Sequence, residues 1–190
     1  VRVDYVNFVR SAAAHLRESG CKNIGIIYAR DSIALSRPGL VPSLLQDSGC
    51  TVNPAWIIGA DDHEQGGYEA AARMPVSEID GLIVTDDIMT LGVDRRLVET
   101  NVNVPRDLRV ATMWNRGSRL RLTLPFDCFE FDVEAQARLS LELVQEVING
   151  QRIVEPHLRV LPTLSKEPCT QQRGSSIPAI VASLEADMTV

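Results

Sequence analysis

The stretch IDGLIVTDDIMTLGVDRRLVE, residues 79–99, decides the fold class. A short apolar run, DGLIVT, meets two adjacent aspartates, Asp86 and Asp87, and then a stretch whose apolar residues recur at helical spacing. Six residues are too few for a stable helix and suit a strand buried on both faces. The following segment, 88–100, predicts a helix with Ile88, Leu91, Arg95 and Val98 in line. A buried strand turning directly into a helix is one unit of an alternating α/β chain.

Working outward, NIGIIYA (23–29), TVNPAWII (51–58) and DLRVATMW (107–114) read as further strands bounded by turn residues. Helices are predicted between and beside them. One covers 7–19, with Val9, Ala12, Ala13 and Leu16 on its inner face and Gly20 at its end; a second covers 64–74, with Tyr68, Ala71 and Ala72 inward. The clearest covers 132–149: Asp132 caps it, Ala137, Leu141, Val144 and Ile148 form its buried stripe, and Asn149-Gly150 stops it. Segment 38–48 is a poorer helix that starts late or kinks, because Pro42 has no amide to donate. A strand over 157–164 and a loop-like tail follow; the last stretch, IPAIVASLEADMTV, either forms a short docking helix or does not. The whole predicts a doubly wound parallel sheet, a Rossmann-like α/β fold. Ligands in such folds bind outside the carboxyl ends of the strands, so loops 28–38, 59–65, 85–88 and 114–125 should meet along one edge.

The chain has 190 residues, 45% apolar and 23% charged, as expected of a globular protein. No apolar run approaches the roughly 18 residues of a membrane span, and the start lacks the build of a signal peptide. The chain therefore reads as soluble, with no membrane partner. It begins with Val, as expected of a piece or a processed form. The net charge is −6, and Lys22 and Lys166 are the only lysines, so these residues are not expected to grip a phosphate backbone by themselves. Cys21, Cys50, Cys128 and Cys169 lie far apart without zinc-site spacing. They read as reduced, partly buried thiols, which favours a cytoplasmic setting.

No catalytic, cofactor or metal motif is present. GxSxG, GxGxxG and GxxxxGK[ST] are all missing, and His15, His63 and His157 occupy different settings. An aspartate-phosphorylated receiver would need more acids after the first strand than the Asp31 of IIYARDS. Neighbouring residues at a strand end point apart, so Asp86 and Asp87 are expected to divide their work. Asp87, directly before Ile88, is placed as the helix cap; Asp86 either faces the crevice or is a solvated loop aspartate. Trp114 is either core or a flat surface for a ligand, with Asn115 beside it. Arg30 and Arg37 could fork onto a ligand or simply be solvated, and His63 is a crevice residue or a surface histidine.

Several stretches, in order, resemble the effector-binding module of LacI/GalR transcriptional regulators: AAAHLRESGCKNIGII, GYEAAARM, DGLIVTDDIMTLGV, NVNVPRDLRVATMW and LPFDCFEFDVEAQARLSLELVQEVINGQ. The match covers about residues 4–165, and TDDIMTLG followed by VPRDLRV is its most specific part. The resemblance implies a non-enzymatic, periplasmic-binding-protein-like type I module of two Rossmann-like lobes that closes on a small effector, usually a sugar, sugar-like or nucleoside-like molecule, needing no cofactor. It also implies a homodimer, and operator DNA bound through a helix-turn-helix domain not present in this chain. On this comparison residues 1–164 are the carboxyl-side lobe with the return crossing and 165–190 a tail. The helix-turn-helix domain and most of the amino-side lobe are absent from the chain.

Residue by residue, the resemblance places Asp86 at the family's polar effector contact. Ser36 stands where the family has an arginine three residues before a glycine, with Arg37 one position late. Trp114 and Asn115 replace an aspartate pair, which points to a flatter or less hydroxylated effector. Asp62 or His63 would supply the contact from the second loop. The alternative is a solute-binding receptor of the same fold that feeds a transporter.

Overall fold

The computed structural model describes residues 1–32, 35, 37–117, 121–150 and 159–166. Its main sheet has the order β3-β2-β4-β5-β6-β8. The strands are β2 (Ile24–Ala29), β3 (Ile57–Ala60), β4 (Gly81–Val84), β5 (Arg109–Asn115) and β6 (Asp127–Phe131), all parallel, with β8 (Thr163–Leu164) antiparallel at the edge. Two further short strands, β1 (Arg2–Val3) and β7 (Arg159–Val160), pair in parallel as a separate ladder. The α/β class and the parallel sheet agree with the sequence, but β6 was not foreseen. The expected strand at 51–58 is interrupted by Pro54, which starts a 3-10 turn, and pairing resumes at Ile57.

Successive side chains of a strand point to opposite faces, and the core divides accordingly. Helices α1 (Tyr5–Glu18) and α2 (Leu40–Asp47) cover one face, where Ile24, Ile26, Ile83, Ala111 and Met113 point. Helices α3 (Glu64–Arg73) and α4 (Asp87–Glu99) cover the other, over Ile27, Leu82, Val84, Val110 and Trp114. Asp4 caps α1 by accepting from the Asn7 amide at 3.0 Å, which is why the helix begins before residue 7. Pro42 falls in the first turn of α2, where no intrahelical partner needs its amide, so the helix starts at Leu40 without losing a bond.

Three expectations about helix faces fail, the first only in part, since Ala71 is inward as expected. In α3, Gly66, Gly67, Ala70 and Ala71 are buried while Ala72 is exposed. In α4 the inward residues are Met89, Thr90, Gly92, Val93, Asp94 and Leu97, leaving Ile88 40% and Val98 39% exposed. The cause is the contact between α3 and α4: a Cβ on Gly67 would collide with the Met89 carbonyl, and one on Gly92 with the Glu64 carbonyl. Only the glycine-bearing faces allow so close an approach. Helix α5 (Val133–Ile148) has the predicted bounds, with the Asp132 carboxylate accepting from the Ala135 amide at 2.8 Å and Gly150 at φ 70° after its end. Its apolar stripe is not buried, however: Leu141, Val144 and Ile148 are 65%, 54% and 77% exposed.

Cys21 and Cys50 are free, buried thiols whose titration burial pushes up. Cys128 is disulfide-bonded, so the expectation of four reduced thiols fails there, and its argument for a cytoplasmic setting weakens. Cys169 and the proposed docking helix at 177–190 lie outside the described residues. Among the described residues, no helix is long and apolar enough to cross a membrane.

Candidate functional site at the carboxyl edge of the sheet

The chain passes from β2 outward to β3 and then back across to β4 on the other side of β2. This reversal opens a crevice between the carboxyl ends of β2 and β4. The Ala29 amide donates to Thr85 Oγ1 at 3.2 Å and the Thr85 amide to the Ile27 carbonyl at 3.0 Å, fixing the crevice floor.

Asp86 comes next and is the residue that caps α4. Its backbone is extended (φ −149°, ψ 138°) and its Oδ1 accepts from the Met89 amide at 2.8 Å. The expected cap, Asp87, is instead the first helical residue, and Asn115 Nδ2 donates to its Oδ2 at 3.1 Å. The two acids do divide their work, with the capping assigned to the other one. The physical reason is where the strand ends: Thr85 still pairs with β2, so the first residue free to leave the sheet is Asp86. Burial raises the Asp86 carboxyl above its ordinary value, opposed by the Met89 and Ile88 amides and reinforced by the charges of Asp87 and Asp62.

Beneath it lies a chain of buried hydroxyls. Thr90 Oγ1 donates to the Asp86 carbonyl at 2.6 Å and shares a hydrogen bond of 2.6 Å with Thr112 Oγ1, at the centre of β5. Asp94, on the next turn of α4, is also buried, and its two carboxylate oxygens accept from the Thr123 and Leu124 amides at 2.9 Å each. It anchors the loop that follows β5. Nothing in the periodicity of α4 distinguishes Asp94 from a solvated acid.

The other candidates divide. Asn115 reaches the site through Asp87. Asp62 is exposed, and its charge acts on both Asp86 and Tyr5. His63 caps α3, its Nδ1 accepting from the Gly66 amide at 2.9 Å, which ties up the nitrogen nearest the helix. Arg37 is exposed in the turn before α2, and Ser36 lies outside the described residues. Arg30 donates to the Gly59 carbonyl and pairs with Asp61 at 3.3 Å. Trp114 corrects the idea of a stacking surface: it is 6% exposed and packed with the α3 and α4 layer, so of its two readings core prevails. Its place in β5 turns it to the face opposite that of Met113, beneath α4. His15 bonds Asp127 at 3.0 Å on the α1 side, and His157 lies outside the described residues.

Tyr5, at the start of α1, was missed. Burial raises its hydroxyl above the ordinary tyrosine value, and the charges of Asp86, Asp87 and Asp62 raise it further. Its sequence signal was the aspartate before it, Asp4, which places a helix start at the same sheet edge. Among the described residues, no group of three or more His, Cys, Asp or Glu side chains could hold a metal ion.

An open, mostly parallel sheet with a cluster of polar side chains at its carboxyl edge is the frame in which α/β folds place ligand sites. Residues 13–166 match the model of the periplasmic binding protein-like domain family. The chain belongs to that family. It is 24% identical over 180 residues to the HTH-type transcriptional regulator GalR of Streptococcus thermophilus, covering 87% of this chain and 51% of that protein. It is 30% identical over 103 residues to the HTH-type transcriptional repressor PurR of Haemophilus influenzae, covering 52% and 31%. Among solved structures it resembles the transcription regulator CcpA of Lactococcus lactis (TM-score 0.75, 15% identity, 90% of this chain and 64% of that one). It also resembles a LacI family regulator of Enterococcus faecium with bound ribose (TM-score 0.68, 19% identity, 89% and 64%). The chain thus spans about half or less of the length of the curated relatives it matches. Those relatives are transcriptional regulators, a non-enzymatic class.

Proposed function

We propose that residues 1–164 are the carboxyl-side lobe of an effector sensor that binds a small sugar-like molecule in the crevice at the ends of β2, β4 and β5. The observation that carries this is the cluster of Asp86, Asp87 and Asn115 at the topological switch, joined by Asp62 from the β3 loop. Carboxylates at a concave sheet edge accept from ligand hydroxyls or amines, while Asn115 supplies both a donor and an acceptor. The ribose bound to the Enterococcus faecium neighbour supports a sugar-like effector. Arg37, Ser36 and His63 are secondary contacts in this proposal, and Trp114 is not one.

In the complete regulator the effector would bind one arrangement of the lobes better than another and so shift operator affinity. Operator contact would come from a helix-turn-helix domain outside this chain, in a homodimer, in the cytoplasm. The solute-receptor alternative is not favoured, since the curated relatives are regulators. A thermal-shift screen of sugars, sugar acids, polyols and nucleosides against the chain and Asp86→Asn tests the proposal. A stabilising compound that fails on the variant supports it; stabilisation equal in both would remove Asp86 from the site.

A further inference from the structure

Burial of Trp114 leaves the crevice without the flat apolar wall expected of it, and a different aromatic side chain stands beside it on the same sheet edge. Tyr5 opens α1, whose far end turns at Gly20 into the start of β2, so its first turn lies at the carboxyl edge of the strands. The Tyr5 ring rests on Phe131, with 6.5 Å between centroids and 45° between planes. Phe131 ends β6 directly beside Asn115 in the β5–β6 register, and Asn115 holds Asp87. Tyr5, Phe131, Asn115 and Asp87 therefore form one continuous row along the carboxyl edge of the sheet, leading from β6 to the start of α4 at the crevice. Phe131 is fully buried and backs the ring, while Tyr5 stays half-buried. Among the described residues, no hydrogen bond engages the Tyr5 hydroxyl.

We propose that Tyr5 is a ligand-contact residue of this crevice, its ring stacking on the apolar face of a neutral ring-shaped ligand and its hydroxyl hydrogen-bonding the ligand's polar edge. The inference rests on the effector reading of the crevice and deepens it. A tyrosine joins an apolar plane to a polar tip, and its hydroxyl can donate to a ligand oxygen or accept from an amine. Sugars and nucleosides share the required chemistry of a flat face with a polar rim. Anionic ligands are disfavoured, because the charges of Asp86, Asp87 and Asp62 all act on the position of that hydroxyl.

The test is calorimetric titration of the 190-residue chain with D-ribose, D-galactose, adenosine and guanosine, in wild type, Tyr5→Phe, Tyr5→Leu and Asp86→Asn. At least one probe should bind, and whether it is a sugar or a nucleoside names the source. Tyr5→Leu should weaken that probe about tenfold, and Tyr5→Phe by a smaller factor that reports the hydroxyl alone. Circular dichroism checks folding; should Tyr5→Leu not fold, Tyr5→Phe keeps the ring on Phe131 and carries the test through the hydroxyl. A probe lost in Asp86→Asn but bound equally by both Tyr5 variants overturns this inference and leaves the effector crevice standing. If none of the probes binds wild type, the crevice reading falls and this inference falls with it.

Discussion

Asn115 Nδ2 donates to Asp87 Oδ2 at 3.1 Å, tying the last residue of β5 to the first residue of α4. The bond crosses the crevice floor and holds the two loops at one spacing. Asn115→Ala should lower stability by about 1 kcal/mol, since the charged acceptor keeps partial access to water. Urea denaturation of both proteins measures it, and an unchanged midpoint would show that the bridge is ornamental.

Asp86 both caps a helix and is proposed to meet ligand, and two variants separate these roles. Asp86→Ala removes the acceptor for the Met89 amide and should cost about 1 kcal/mol, whereas Asp86→Asn retains a good cap and should cost little. Thermal melts of the two variants, run beside the ligand titrations, distinguish a folding defect from a binding one.

The same carboxyl makes stability depend on pH. Its folded value lies above the ordinary 3.8, so the folded state holds this proton more tightly than the unfolded chain does. Its contribution is full below the ordinary value and is lost as pH rises through the folded one. The stability of wild type relative to Asp86→Asn should therefore fall on going from acid towards neutral pH. Denaturation curves at several pH values would expose the opposite slope if the assignment were wrong.

Gly92 lies where α4 crosses α3, and a methyl group there would meet the Glu64 carbonyl oxygen. Backbone cannot yield as a flexible side chain does, so Gly92→Ala should destabilise by about 3 kcal/mol despite its better helix propensity. A midpoint within error of wild type would mean that the two helices can separate freely.

Asp94 is buried and accepts two backbone amides from the loop after β5. Asp94→Ala should cost about 3 kcal/mol and speed hydrogen exchange at Thr123 and Leu124 far more than elsewhere. Uniform loss of protection would instead indicate general unfolding.

Leu141 and Ile148 lie on the exposed stripe of α5. Leu141→Ser and Ile148→Ser should each change the stability of this chain by no more than about 0.5 kcal/mol. A loss several times larger, seen in thermal melts, would reveal a partner surface on that stripe.

Local chemistry accounts for what was legible in the sequence. Asp132 and Gly150 delimit α5, Gly20 ends α1, and the short apolar runs at 23–29 and 80–85 announce a buried parallel sheet. These signals depend on a few neighbouring residues. The inward faces of α3 and α4 depend instead on a glycine contact between two helices, which spacing within either helix does not record. The cap of α4 falls to Asp86 and not Asp87 for a similar reason, because the end of β4 is set by pairing with β2. Tyr5 and Asp94 act through residues more than twenty positions away. The apolar stripe of α5 has the right period, but period cannot reveal whether anything covers it.

The buried threonines under Asp86 carry a consequence of direction. Thr90 and Thr112 share one hydrogen bond, and each hydroxyl also has a carbonyl within reach, that of Asp86 for Thr90 and that of Met113 for Thr112. Each has a single proton, so the pair can run from Thr112 through Thr90 to Asp86 or from Thr90 through Thr112 to Met113, with both protons used either way. The floor of the crevice thus holds a small dipole that can reverse without a buried donor being stranded. Replacing Thr112 with valine would leave only the orientation towards Asp86 while keeping almost the same shape.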